Sequence, residues 1–140
     1  MKYLLDSNVC IQYLNQRSEK IIQRFQDLSD IDIVVCSIVK AELFYGAMRT
    51  HNPAKTLQKQ QEFLDRFISL KFDDECAVIY GEIRSKLAAK GTPVGNNDLH
   101  IAAIAIPAER FAIANNLTLI THNTREFSRI DNLKLEDWEI

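Results

Sequence analysis

The sequence predicts an α/β protein whose strands form a parallel, doubly wound sheet. Short apolar, β-branched runs alternate along it with longer stretches whose apolar residues recur at helical spacing. The first junction between the two kinds of segment is the most telling. Asp6 closes the run Met1-Lys2-Tyr3-Leu4-Leu5, and Ser7-Asn8 follow at once. That is the pattern of a buried strand handing over to a helix N-terminus. In open α/β sheets, chemistry collects at the carboxyl ends of the strands. Asp6 is therefore the first candidate functional residue, although an Asp there can also serve simply as a helix cap.

The elements follow in order. Lys2–Leu5 is strand one, and Ser18–Leu28 is a helix with Ile21, Ile22, Phe25 and Leu28 at helical spacing. Ile31–Cys36 is β-branched and apolar, hence strand two. Ser37 reads as the N-cap of a helix running to about Arg49. Asn52-Pro53 opens the next helix, with Asn as cap, Pro at the first position, and Leu57, Leu64, Phe67 and Ile68 lining its inner side. Leu70–Phe72 reads as a short strand. Asp73-Asp74 start a helix that ends at Gly91, with Cys76, Ile79, Tyr80, Ile83 and Leu87 on one stripe. Thr92–Asn97 is a turn punctuated by Pro93 and Gly95, and Asp98 begins the next helix. Leu117–Thr121 is an apolar strand, and Leu133–Leu135 a last edge strand.

A chain of 140 residues with 46% hydrophobic and 26% charged side chains makes one ordinary globular domain with a real core, residues 1–140. No run reaches the roughly 18 apolar residues of a membrane span, and the N-terminus lacks a signal-peptide pattern, so the expected location is the cytoplasm. Cys10, Cys36 and Cys76 are odd in number and sit in apolar company, which reads as reduced core thiols. The net charge of −2 argues against a surface coated for nonspecific nucleic-acid binding. It leaves room for a local basic rim, for which Lys40, Arg84, Lys86, Lys90 and Arg125 are the candidates.

Two further acids stand out. Glu42 lies in the helix after strand two, with Ile38, Val39, Tyr45 and Gly46 one turn away, so its carboxylate falls on or beside the apolar face. Asp98 has Ile101 and Ala102 one turn ahead, again the packing side. Each acid alone has a structural reading, as a surface Glu or as an acid favoured by the helix dipole. Together they are more telling, one at a strand end and two on inward faces of helices, because three buried carboxylates cannot coexist ionised without a cation: like charges a few ångströms apart raise one another's pKa. A hard ion with oxygen ligands, Mg²⁺ or Mn²⁺, resolves the conflict. His51, His100 and His122 lack zinc-ligand spacing, which argues against zinc.

Four ordered motifs span the chain: Y-L-L-D-S-N at its start, V-K-A-E-L-F-Y-G-A in the first third, G-T-P-V-G-N-N-D-L-H-I-A-A, and L-I-T-H-N-T-R-E-F near the end. In these the sequence resembles the PIN-domain ribonucleases, above all the VapC toxins of bacterial toxin–antitoxin pairs. The resemblance implies a three-layer sandwich with a central parallel sheet of four to five strands flanked by helices. It implies a Mg²⁺-dependent endoribonuclease, with Mn²⁺ as a substitute, cutting structured RNA, often transfer RNA. Asp6, Glu42 and Asp98 become the metal-binding acids, and Ser7 takes the place of the small hydroxyl residue after the first of them. The partners implied are RNA and a cognate antitoxin, with the toxin a homodimer inside a larger complex.

Asp6 and Asp98 would hold the ion, and Glu42 would bind it through water or help deprotonate the nucleophile. Ser7, Lys40 and Arg125 are the expected substrate contacts. The chain departs from the family pattern twice. The place of a fourth acid after the strand ending at Thr121 holds Asn123, with Glu126 three residues on. Asn123 is expected to orient the nucleophilic water or the metal's solvent shell. The stretch Ile104–Asn116 is longer than usual, and Pro107 in its middle predicts a kink or break, because a mid-helix Pro costs about 3 kcal/mol. Two alternatives follow: a catalytically inactive PIN fold that only binds antitoxin or RNA, and a haloacid-dehalogenase-type phosphatase. The latter needs a second Asp where this chain has Asn8.

Overall fold

The computed structural model describes residues 1–106 and 116–140. Five short parallel strands form one sheet: β1 (Tyr3–Leu5), β2 (Ile33–Cys36), β3 (Ile68–Leu70), β4 (Thr118–Ile120) and β5 (Lys134–Glu136), in the spatial order β3-β2-β1-β4-β5. Seven α-helices lie among the described residues: α1 (Ser7–Leu14), α2 (Glu19–Asp27), α3 (Ser37–Met48), α4 (Pro53–Leu64), α5 (Asp74–Lys90), α6 (Asn96–Ala105) and α7 (Thr124–Phe127). This is the three-layer α/β architecture expected from the sequence. Its chain path steps outward from β1 to β3, then crosses back to β4 on the other side of β1. Right-handed crossovers in opposite directions put α1–α4 on one face and α5–α6 on the other. Accordingly α1 packs on α2, α3 and α4, while α5 packs on α6 and α6 on β4.

The central strands are buried throughout: all four residues of β2, and Leu4 and Leu5 of β1, are closed to solvent. Continuous apolar runs, not alternating ones, are what a sheet covered on both faces requires. Side-chain caps start three helices where the sequence places them: Ser18 accepts from the Ile21 N–H, Asn52 from Lys55, and Asp73 from Cys76. Gly91 ends α5 in the left-handed region at φ 68°, which a Cβ would oppose. Cys10, Cys36 and Cys76 are free and buried. Among the described residues no helix is long and apolar enough to cross a membrane.

Several boundaries differ from expectation. Strand two begins at Ile33, because Asp30–Asp32 form a 3₁₀ turn ahead of it. The third strand is Ile68–Leu70, two residues earlier than Leu70–Phe72. Ile68, expected on the inner side of the preceding helix, is instead half-exposed on this edge strand, and Phe63 is buried in the helix. Ser37 is the first helical residue and not a cap, since Cys36 holds the cap position without a side-chain bond. α6 begins at Asn96 behind Gly95, so Asp98 sits third in the helix, still within its first turn. The last strand is Lys134–Glu136, one residue later than Leu133–Leu135. α7 had no counterpart in the sequence reading. Pro107 and the kink expected there lie outside the described residues. α6 nonetheless ends at Ala105, with Ile106 extended (ψ 133°), the conformation favoured before proline.

Phe25 of α2 ties the helical layer to the chain end. Its ring centroid lies 4.1 Å from Tyr13 of α1, 5.8 Å from Phe63 of α4 and 5.8 Å, edge-on, from Trp138. Trp138 is fully buried and packs edge-on against Tyr3 of β1. Truncating a buried aromatic of this kind costs about 3–5 kcal/mol. Phe25→Ala is thus expected to lower the unfolding free energy in urea by that amount. A loss under about 1 kcal/mol would show that the rings close over the gap and that Phe25 is not the tie.

Candidate functional site

The register of β1 on β4 builds the site. Leu5 pairs with Ile120, and the next rung places Asp6 beside Thr121 at the carboxyl ends of both strands. The Asp6 N–H donates to the Ile120 carbonyl at 3.0 Å, so the ladder continues through this residue. Connections leave β1 and β4 in opposite directions here, which opens a crevice between them. The Thr121 hydroxyl donates to Asp6 Oδ2 at 2.7 Å, and the Ser7 N–H donates to Asp6 Oδ1 at 2.8 Å. Asp6 therefore caps α1 and faces the crevice at once, with its side chain only 7% exposed. Helix cap and site acid are one role here, not two.

Glu42 arrives from α3 and Asp98 from the first turn of α6, two helices that pack against each other. Glu42 Oε1 is buried and has no hydrogen-bond partner among the described residues. A polar atom in that state costs roughly 1–3 kcal/mol, more when charged. Burial pushes the Asp6 carboxyl above the usual carboxylate range, against the hydrogen bonds from Thr121 and Ser7. Burial also raises Glu42, and the charge of Asp6 raises it further. Asp98 is pushed up to about 6, first by burial, then by the charges of Asp6, Glu126 and Glu42. The three acids singled out in the sequence thus feel one another, and Glu126 joins them.

Asn123 and Glu126 close the crevice from the β4 side. The Asn123 amide nitrogen donates to Glu126 Oε2 at 3.1 Å and, more weakly, to Asp98 Oδ2 at 3.4 Å. Its backbone N–H donates to the Thr121 hydroxyl oxygen at 3.0 Å. Asn123 presents its donor to two carboxylates, a neutral bridge where a fourth acid would add repulsion. Glu126 accepts from the Gly95 N–H at 2.9 Å as well, and these bonds hold its carboxyl below the usual range. Both carboxylate oxygens of Glu126 thus accept a hydrogen bond, as both of Asp6 do, but only Glu126 lies below the usual range.

Lys40 is half-buried on α3 and Arg125 exposed on α7, and neither bonds to these acids among the described residues. Of the other cations proposed for a rim, Arg84 donates to the Tyr80 hydroxyl and Lys90 pairs with Asp131, which commits both to local partners. The sequence reading missed Thr121 as a site residue. Its signal was present: a hydroxyl closing an apolar strand, as Asp6 closes another. Oxygen donors only, three carboxyls raised above their usual range and an orphaned Glu42 oxygen together fit a hard divalent cation held by Asp6, Glu42 and Asp98.

The PIN domain family matches residues 3–133 of this chain. The chain is similar to "Ribonuclease VapC2" of Rickettsia felis, at 39% identity over 140 residues covering 99% of each chain. It is similar also to "tRNA(fMet)-specific endonuclease VapC" of Salmonella typhimurium, at 37% identity over 99% of this chain and 98% of that one. Among solved structures, VapBC2 from Rickettsia felis bound to a DNA fragment from its promoter superposes with a TM-score of 0.86 at 38% identity, covering 99% of both chains.

The raised carboxyl of Asp98 has a consequence for stability in metal-free buffer. Between about pH 4 and about 6 the unfolded chain releases this proton while the folded chain retains it, so stability falls as pH rises through that window and levels off above it. Asp98→Asn removes the group and should flatten that part of the profile. Because Asp98 is half-exposed, solvent screening reduces the expected gain of the variant over wild type near pH 7 to the order of 1 kcal/mol. Urea unfolding of both proteins in chelator, across this pH range, measures it. Parallel stability profiles would show that Asp98 ionises unhindered.

Proposed function

This chain belongs to the PIN-domain family, and on that premise we propose that it is a divalent-metal-dependent endoribonuclease, the toxin of a toxin–antitoxin pair acting in the cytoplasm. Residues 1–140 are taken as a single domain. The observation that carries the proposal is the crowding of Asp6, Glu42 and Asp98 at the sheet's crevice, with a buried Glu42 oxygen that has no donor among the described residues. Relatives named as ribonucleases, one of them a tRNA(fMet)-specific endonuclease, support structured RNA, transfer RNA included, as the substrate class.

In this reading Asp6 and Asp98 hold Mg²⁺, or Mn²⁺ in its place, and Glu42 binds it through water or accepts the nucleophile's proton. Thr121 and the Ser7 N–H fix the orientation of the Asp6 carboxylate, which would hold the ion without having to reorganise. Bound there, the cation supplies a water of lowered pKa and neutralises charge on the attacked phosphate. Asn123 orients the attacking water and keeps Glu126 and Asp98 apart. Ser7, Lys40 and Arg125 contact the RNA. An inactive PIN fold that only binds antitoxin or RNA is the second reading, favoured by Asn123 standing where a fourth acid would be.

Purified protein incubated with total transfer RNA and Mg²⁺, with new 5′ ends mapped, separates the two readings and names the substrate. Cleavage should vanish with chelator, and Asp6→Asn, Glu42→Gln and Asp98→Asn should each lower it at least about 100-fold with the fold intact. Thr121→Val should give a smaller loss, since it disturbs only the orientation of Asp6. Chelator-resistant cleavage, or full activity in Asp98→Asn, would rule out the metal-site mechanism.

The same pocket suits an antitoxin. Three carboxylates attract a guanidinium, whose forked donors bond carboxylates in pairs. We expect an antitoxin tail to place Arg or Lys near Asp6, Glu42 and Asp98 and its apolar residues beside α2 and α3, where Tyr45 is exposed and Phe44 half-buried. The toxin would be a homodimer within that larger complex. Replacing the tail's basic residues should weaken inhibition, and added Mg²⁺ should loosen the complex. Inhibition untouched by either change would place the antitoxin elsewhere.

A further inference from the structure

We infer that His122, Asp137 and Glu139 form a second cation site, for a transition-metal dication of the zinc type, separate from the acid crevice. The three side chains come from two segments, the β4–α7 junction and the chain just beyond β5. One ligand atom from each lies within 4.8 Å of the other two. His122 Nδ1 is 2.9 Å from Asp137 Oδ2 and 3.1 Å from Glu139 Oε2. The Glu139 N–H donates to Asp137 Oδ1 at 2.9 Å, a local turn that aims both carboxylates at one ring nitrogen.

This arrangement is one donor short. Nδ1 carries at most a single hydrogen, whatever the charge of the ring. That hydrogen serves Asp137, whose side chain is only 9% exposed. Glu139 Oε2, at ion-pair distance from the same nitrogen, is buried and has no hydrogen-bond donor among the described residues. A metal ion in place of the proton bonds all three atoms at once. Zinc takes nitrogen and oxygen ligands at roughly 2.0–2.2 Å, which sets neighbouring ligand atoms about 3.3 Å apart in a tetrahedron. The two separations from Nδ1, 2.9 and 3.1 Å, need only a slight opening to meet this, and the two carboxylates lie within 4.8 Å of each other.

The imidazole decides the class of ion. Mg²⁺ and Ca²⁺ take oxygen ligands, whereas a ring nitrogen with two carboxylates suits Zn²⁺, Co²⁺ or Ni²⁺. His122, 59% exposed, leaves a path from solvent and a fourth position for water. Histidine spacing alone argues against zinc here. The missing ligands are carboxylates that only the fold brings to His122. Because His122 stands between Thr121 and Asn123, the ion would clamp the β4–α7 junction to the segment that carries Trp138.

The test uses the full chain with Asp6→Asn and Asp98→Asn, so that the crevice does not compete. Zn²⁺ should bind this protein one-to-one by calorimetry, and Co²⁺ should give visible d–d absorption bands that Zn²⁺ displaces. Adding His122→Ala should abolish both signals, and Glu139→Gln, which keeps the side chain's shape, should weaken Zn²⁺ by about 10-fold or more. Absence of one-to-one Zn²⁺ uptake, or uptake that survives both changes, overturns the site.

Discussion

The pairing of β1 with β4 is the constraint on which the site depends. Its register carries one rung past Leu5 and Ile120, and that rung is Asp6 beside Thr121. A shift by one residue would turn every side chain of the strand to the opposite face. The Thr121 hydroxyl would then lose Asp6, and Leu4 and Leu5 would exchange the helical layers they pack against. The apolar packing that holds the sheet together therefore also aims the carboxylate, and no separate device is needed to orient it.

Against that order stands a local disadvantage. Four acids, Asp6, Glu42, Asp98 and Glu126, are gathered where burial lifts the first three from their ordinary range and neighbouring negative charge lifts Glu42 and Asp98 further. A sequence selected for stability alone would not keep Glu42 Oε1 buried with no donor among the described residues. The fold offsets this with an unbroken apolar interior around the sheet and the aromatic group joining Tyr13, Phe25, Phe63 and Trp138. Binding functions commonly sit in such locally unfavourable places, maintained by a framework that is over-determined elsewhere.

Much of this was legible in the sequence, because strong periodicity and capping chemistry are local. Ser18, Asn52, Asp73 and Gly91 mark helix ends by their own side chains or backbone, and each is where it was expected. The acids were legible because a charge on an apolar stripe is anomalous without any knowledge of its neighbours. What failed was non-local. Ile68 belongs to a strand because β2 is available to pair with it, not because of the residues beside it. Thr121 and Glu126 matter through Asp6 and Gly95, which lie far away along the chain. The bonds of Asn123 to Asp98 and Glu126 are likewise a product of packing, and only its position after the strand was visible beforehand.

The two sides of the crevice differ in how they can change over evolutionary time. α6, which carries Asp98, is buried from Leu99 and from Ile101 through Ala105 by residues too small or too tightly enclosed to be exchanged freely. α7, which follows Asn123 and carries Glu126, is a single short turn anchored in the core by Phe127, with Asn123 and Arg125 at the surface. Drift on the first side disrupts the interior, whereas drift on the second alters only the rim. Divergence at the crevice among descendants of this chain would accumulate around 123–126, while the Asp98 side stays nearly invariant for reasons of packing alone.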